Sequence, residues 1–311
     1  MEIGLTVHTN LQVDAIKEYL RHVEKMAVDH LWVGEIIPKN SAFVRIATIL
    51  EIIKGNKQVW SGVTSPFYYD VHTLIAIINT FVRLYPEKFG LGLGIGNLKF
   101  IKNKDVITKP FTAFKDKIFQ LKQEWQELQN SQKFLKFPPL AIGGIGNKMC
   151  AFAGMHSDIF LLNSTSLYDV IRTYGILERI RRKEKKDCKL FSYAMLQIQE
   201  KEDLDPLLWN IVKDIVVSLP IDILKSHKYS AKMIARVKSL SNKWDKTAPK
   251  GELRSIVHDF ALIGTEEEIV LKLQKLKEKS ENHELDGIVL SLFNFDNNWT
   301  TLNAIINQIK K

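Results

Sequence analysis

The chain has 311 residues, 45% of them hydrophobic, which is enough to bury a large core. Charged residues make up 25% and no low-complexity run interrupts them, which excludes extensive disorder. The formal charge of +9 raises nucleic acid as a partner and suits an anionic small ligand.

The first residues, MEIGLTVHTN, carry no basic-then-apolar leader pattern, and no apolar run approaches the roughly 18 residues that cross a bilayer. A soluble, cytoplasmic protein without a membrane partner is expected. Strand-like apolar runs follow at 3–8, 30–35, 58–63, 89–95, 139–143, 158–163, 190–198 and 286–292. Between them lie amphipathic segments at 13–28, 42–54, 71–84, 112–128, 148–153, 167–182, 205–244 and 266–281, and 300–309 closes the chain. Strict alternation, with strands apolar throughout rather than at every second residue, predicts a parallel sheet covered by helices. Eight repeats in a chain of this length predict the α/β class and a (β/α)8 TIM barrel, one domain over 1–311. The stretch 203–250 is about one helix longer than a repeat needs and reads as a helical insertion at the rim; an extra packing helix and a lid both fit.

The densest basic run, ERIRRKEKKDCK at 178–189, ends a helical pattern in which Val170, Ile171, Tyr174, Leu177 and Ile180 share one face. Its cations then lie on the solvated face and suit the helix dipole, so nucleic acid is not expected as a partner. Cys150 and Cys188 are too few for a disulfide framework and lack metal-ligand spacing, and no carboxylate or histidine pattern suggests a metal.

Glycine marks two places. In FGLGLGIGN, residues 89–97, glycines at 90, 92, 94 and 96 alternate with Leu91, Leu93 and Ile95. Side chains alternate across a strand, so the apolar set packs under the helices and the bare set faces the barrel interior. Either a flat ligand fills the space left there, or large neighbours such as Trp60 and Phe89 do. In PLAIGGIGNKMCAFAG, residues 139–154, a strand ends in Gly143, Gly144 and Gly146 and a helix begins. Such a turn lets N–H groups meet a phosphate, or is simply tight. A Rossmann fingerprint is set aside, because the first cluster has a strict spacing of two and no helix start follows it.

DHLWVGE, WSGVTSP, LYPEKFGLGLGIGN and PPLAIGGIGNKMCAFAGMHSDIFLLN together resemble the luciferase-like TIM-barrel oxidoreductases. The resemblance is nearest to the coenzyme F420-dependent members, methylenetetrahydromethanopterin reductases and F420-dependent glucose-6-phosphate dehydrogenases; FMN-dependent monooxygenases are more distant. It covers 1–165, returns at 260–279, and is poor over 200–255. It implies a homodimer, a small-molecule substrate and a cofactor ring at the C-terminal end of the barrel. The ring would pack on a third-strand bulge, Ser61–Gly62–Val63–Thr64, often with a non-proline cis peptide at 61–62 or 62–63. It also implies cofactor contacts at Gly94, Gly96 and Asn97, at the turn Gly143, Gly144, Ile145 and Gly146, and at Asn163.

Departures limit the substrate. Glu35 keeps an acid after the second strand, but Ile36 stands where the sugar-phosphate dehydrogenases have histidine, Asn97 where they have glutamate, and Ser166 where they have a phosphate-binding lysine. Thr6 stands where the methanopterin reductases have a carboxylate. His8 and Glu35 remain the catalytic candidates, His8 because it ends the first strand on the same face as Thr6. Hydride transfer with F420 and an unassigned substrate is the leading expectation; an FMN-dependent monooxygenase or reductase, and a barrel that binds without turnover, stay open.

Overall fold

The computed structural model describes every residue except 8–11, 36–40, 97–106, 133–134, 200–203, 228, 241–243, 250, 294–297 and 311. Nine parallel strands are present among the described residues: β1 (Glu2–Val7), β2 (His30–Val33), β3 (Gln58–Ser61), β4 (Phe89–Gly94), β5 (Leu140–Gly144), β6 (Ile159–Leu162), β7 (Lys189–Ile198), β8 (Ala261–Gly264) and β9 (Gly287–Phe293). Strands β1 to β7 pair in sequence order, β7 pairs with β9, and β9 pairs with β1. That closes an eight-stranded (β/α)8 barrel. The ten-residue β7 outlasts the ring, and its far end, Met195–Ile198, carries β8 outside it.

All eight strand runs expected from the sequence are there. The ninth, ALIG, is only four residues long, lies between two amphipathic segments after the insertion, and is not among the expected strands. Helices α1 (Val13–Val23), α2 (Ala42–Ile52), α3 (Val71–Leu84), α4 (Pro110–Ser131), α5 (Asn147–His156), α6 (Leu167–Glu184), α11 (Glu266–Glu281) and α12 (Trp299–Lys310) follow the barrel strands or β8. The long unit between β7 and β8 holds α7 (Pro206–Ser218), α8 (Ile221–Ser226), α9 (Ala231–Lys238) and α10 (Glu252–Val257). Local chemistry sets the starts: the Asp70 carboxylate accepts from Thr73 N at α3, and Thr265 with Glu268 forms a reciprocal capping box at α11. No helix among the described residues is long and apolar enough to cross a membrane.

Three apolar clusters divide the work. The largest lies between barrel and helices and takes Leu91 and Leu93 of β4 together with Phe89. A second belongs to α7–α10 and the end of β7. The third fills the barrel interior with Trp32, Trp60, Ala141, Ile159, Leu161, Phe191 and Val289. Trp32 and Trp60 stack at 5.0 Å.

This interior decides between the two readings of the bare face of β4 in favour of large neighbours. The glycines do face inward, but the protein's own atoms cover them. A Cβ on Gly90 would fall 2.1 Å from the Trp60 ring, one on Gly92 1.8 Å from the Ser61 carbonyl oxygen, and one on Gly94 2.8 Å from Val63 Cγ2. Of the two large neighbours considered, Trp60 fills the gap; Phe89 packs on the helix side.

Candidate active site at the barrel mouth

The third strand bulges where its neighbour is bare. Trp60 pairs with Gly90 and Thr64 bridges Leu93, so β3 spends four steps where β4 spends three. One extra residue is inserted. The Gly62–Val63 peptide is cis, at one of the two bonds that the resemblance implied. Gly62 N donates to Val33 O (2.8 Å), Thr64 N to Gly92 O (3.0 Å), and Gly94 N to Thr64 O (2.9 Å), which ties the bulge to both neighbours. Ser61 is fully buried: its hydroxyl donates to Gly92 O and accepts from Gly92 N, both at 2.8 Å. The Ser61 side chain therefore holds the bulge against β4.

The two glycine clusters meet at one side chain. Val63 lies against Gly94 and against Gly143, where an added Cβ would be 3.1 Å from Val63 Cγ1. Below this level the barrel is sealed; Gly62, Val63, Asn163 and the turn 143–146 are only half-buried. The open face of the bulge is thus at Val63, not along β4. Gly144 is backed by Met149 and Phe160, whereas an added Cβ on Gly146 would meet nothing within 4 Å. Gly96 has φ +74, the left-handed region that favours glycine, and stands beside Ser65 and the Tyr68 hydroxyl. His8 and Asn97 lie outside the described residues.

Polar groups at this level lack partners. Thr64 Oγ1, Glu35 Oε2 and Asn163 Oδ1 are buried with no hydrogen bond among the described residues. Such atoms are costly unless something completes them. Asn163 is positioned by its backbone N–H, which donates to Gly144 O (3.0 Å). Helix α5 starts at Gly146 with no side-chain cap and no acidic residue in its first turn, leaving its N–H groups suited to an anion.

Glu35 stands with Leu31 and Val33 on the outward side of β2 by alternation. Its Oε1 accepts from the Tyr69 hydroxyl (2.5 Å) and from Ala42 N (3.4 Å) at the start of α2. Burial raises its pKa, against the pull of those two hydrogen bonds. Oε1 is thus held by Tyr69 and Ala42, and Oε2 is buried without a partner among the described residues. The sequence reading missed Tyr69 as the partner of Glu35, because the two are 34 residues apart in the chain. It also missed a buried set around His227, because its members are far apart in the chain.

Fold and mouth together define a TIM barrel with a bulged third strand and its polar groups at the C-terminal rim. The luciferase-like monooxygenase family profile matches residues 1–281, and the chain belongs to that family, whose members are flavin- or F420-dependent oxidoreductases and monooxygenases. No curated protein matches the sequence significantly. Among solved structures, coenzyme F420-dependent tetrahydromethanopterin reductase from Methanopyrus kandleri is similar with TM-score 0.73 and 14% identity over 99% of this chain and 97% of that one. An F420-dependent secondary alcohol dehydrogenase, in complex with an F420-acetone adduct, is similar with TM-score 0.66 and 15% identity over 100% and 99%. The oxygenating constituent of 3,6-diketocamphane monooxygenase from Pseudomonas putida, in complex with FMN, is similar with TM-score 0.63 and 12% identity over 100% and 97%.

Proposed function

We propose that the protein transfers a hydride between coenzyme F420 and a small organic substrate, in the manner of the methylenetetrahydromethanopterin reductase-like members of its family. The observation that carries this reading is the half-buried set of positions around Val63, with unpartnered polar atoms on Thr64 and Asn163 and an uncapped helix start at Gly146. A planar ring with polar edges completes such atoms, and a phosphate suits a helix N-terminus on a basic protein. The structural likeness to two F420-dependent enzymes supports the same choice.

When bound, F420 supplies the carbon that gives or accepts the hydride. The chain's own part is to hold and to exclude water. Val63 and the Gly62–Val63 peptide form an apolar floor, sealed from below by Trp60 and Trp32. Thr64 and Asn163 orient the ring edge, with the backbone of Gly94 and Gly96 alongside, and the turn Gly143–Gly144–Ile145–Gly146 receives the phosphate. Glu35 Oε2 is the proposed proton donor or acceptor, because burial favours its protonated form and Oε1 is already fixed by Tyr69. His8 and Asn97 complete the candidate set.

Titration of the purified protein with F420 and, separately, with FMN tests this reading through the absorbance and fluorescence of each. Saturable F420 binding at micromolar concentration with weaker FMN binding is expected; tighter FMN binding moves the protein to the monooxygenase side, and no binding of either refutes the redox assignment. The filled barrel interior favours one second reading, a barrel that binds a ligand without turnover. Hydride transfer to any acceptor by the F420-loaded protein excludes it.

A further inference from the structure

Helices α7–α10 bury their own apolar cluster, and Ile145 of the β5–α5 turn and Tyr193 of β7 pack against it. Beside that contact lies a buried set of charges that the proposed reaction does not use. His227 has a side chain only 1% exposed, with Nε2 2.9 Å from Asp169 Oδ2 and Nδ1 3.1 Å from Asp259 Oδ2. Asp259 also accepts from the Tyr229 hydroxyl. Asp169, fully buried in the first turn of α6, accepts from Ser164 Oγ (2.7 Å) and from Arg172 Nη2 (2.8 Å). Arg172 reaches onward to the turn: Nη2 donates to Ile145 O (2.9 Å) and Nη1 to Asn147 Oδ1. The result is an unbroken path of charged contacts from the insertion to the turn that presents Gly146.

Each end of this path has reason to be there. A guanidinium spends several donors at fixed angles, so Arg172 can tie Asp169, Ile145 and Asn147 into one geometry. Two carboxylates facing both ring nitrogens keep His227 charged: burial works against that charge, and Asp169 and Asp259 outweigh it, holding the pKa at about 9. Burial likewise opposes ionisation of Asp169, and His227, Ser164 and Arg172 outweigh it.

We infer that Arg172, locked by Asp169 and His227, is a positioning residue that sets the β5–α5 turn, so that the turn keeps its anion-receiving shape only while the helical insertion is docked. The role of the turn as a phosphate cradle rests on the proposed function; the coupling of the turn to the insertion does not. The groups that face His227 are Asp169 and Arg172 with the Tyr168 ring on α6, Asp259 beside His258 in the α10–β8 turn, and Tyr229 after α8. A folded-state pKa above the ordinary histidine value of 6.5 means that the contribution is whole below that value and is lost as pH rises through about 9.

Hydrogen exchange on the complete chain tests the inference, using wild type from pH 7 to pH 10, corrected for intrinsic exchange, and the His227→Gln variant. In the variant, amides of 143–149 and of 205–257 are expected to exchange together, about tenfold faster than in wild type. In wild type the same two regions are expected to loosen together with a midpoint near pH 9, a step that the variant lacks. A turn that stays protected while the insertion loosens, or the absence of the step, overturns the inference. If the variant does not fold, the wild-type pH series decides. F420 and FMN titrations run in parallel: affinity that falls with the same midpoint supports the positioning role, and affinity that ignores a loosened turn overturns it. Wild type that binds neither cofactor removes the proposed function and leaves the coupling to the exchange result.

Discussion

Replacing Gly92 with alanine tests whether β4 is bare because β3 lies on it. The added Cβ would stand 1.8 Å from the Ser61 carbonyl oxygen and 3.0 Å from its carbon, where real Cβ atoms essentially never come within 3.0 Å of another heavy atom. The strands must part by about 1 Å, and no rotamer relieves the clash, because the obstructing atom is backbone. Parting them stretches the two Ser61–Gly92 hydrogen bonds and the one from Thr64 N to Gly92 O. Overpacking of this kind costs about 1–3 kcal/mol, and each of the three loosened buried hydrogen bonds adds about 1 kcal/mol, so a loss of about 4–6 kcal/mol is expected. Urea unfolding followed by far-UV circular dichroism and tryptophan fluorescence measures it. Gly146→Ala is the steric control: its φ is −77 and nothing lies within 4 Å of the new methyl, so only the poorer N-cap preference of alanine counts, and a loss of no more than about 1 kcal/mol is expected. A Gly92→Ala loss below about 1 kcal/mol would refute the stacking of β3 on β4.

Three further outcomes are expected. At the N-terminal end of the barrel the carboxylate of Glu2 accepts from His30 Nε2 (2.5 Å) and Lys189 Nζ (2.7 Å); the His30 bond, against burial and with help from Lys189, holds its pKa at about 2. A depressed value gives stability that is full above the ordinary 4.5 and lost as pH falls toward 2, about 2–3 kcal/mol in all, so Glu2→Gln should flatten the acid limb of a Tm-against-pH curve; an unchanged limb contradicts the assignment. Burial pushes the Cys188 thiol up to about 12 and raises Cys150 as well, so native protein should resist a thiol reagent at pH 8 and react at both sites once unfolded; rapid native labelling would show that one of them is open. Thr265→Ala breaks the α11 capping box and should cost about 1 kcal/mol in urea unfolding, and no loss would mean that the cap is idle.

The barrel was legible because each strand is a short apolar run bounded by a helix of clear period, from Glu2–Val7 to Gly287–Phe293. Strand β8 was not, since four residues between two helical patterns carry no period of their own. The inward direction of Gly90, Gly92 and Gly94 followed from alternation alone, but what lies against them did not. Trp60 and the Ser61 carbonyl belong to a neighbouring strand, and register between strands cannot be read from either one. The site at Ser61–Thr64 came from resemblance, not periodicity. Glu35 shows the opposite case: its parity with Leu31 and Val33 already turned it away from the interior, and the Tyr69 and Ala42 contacts agree with that parity. The His227 set escaped notice because tertiary folding alone brings Asp169, Asp259 and Arg172 together.

The intimate fit of β3 on β4 also constrains how this chain can change over generations. A methyl at 90 demands a smaller neighbour at 60, and one at 92 demands a rerouted peptide at 61, so neither strand can drift alone. Positions 60–63 and 90–94 should therefore be inherited as a linked pair, with tolerated replacements on one side accompanied by replacements on the other.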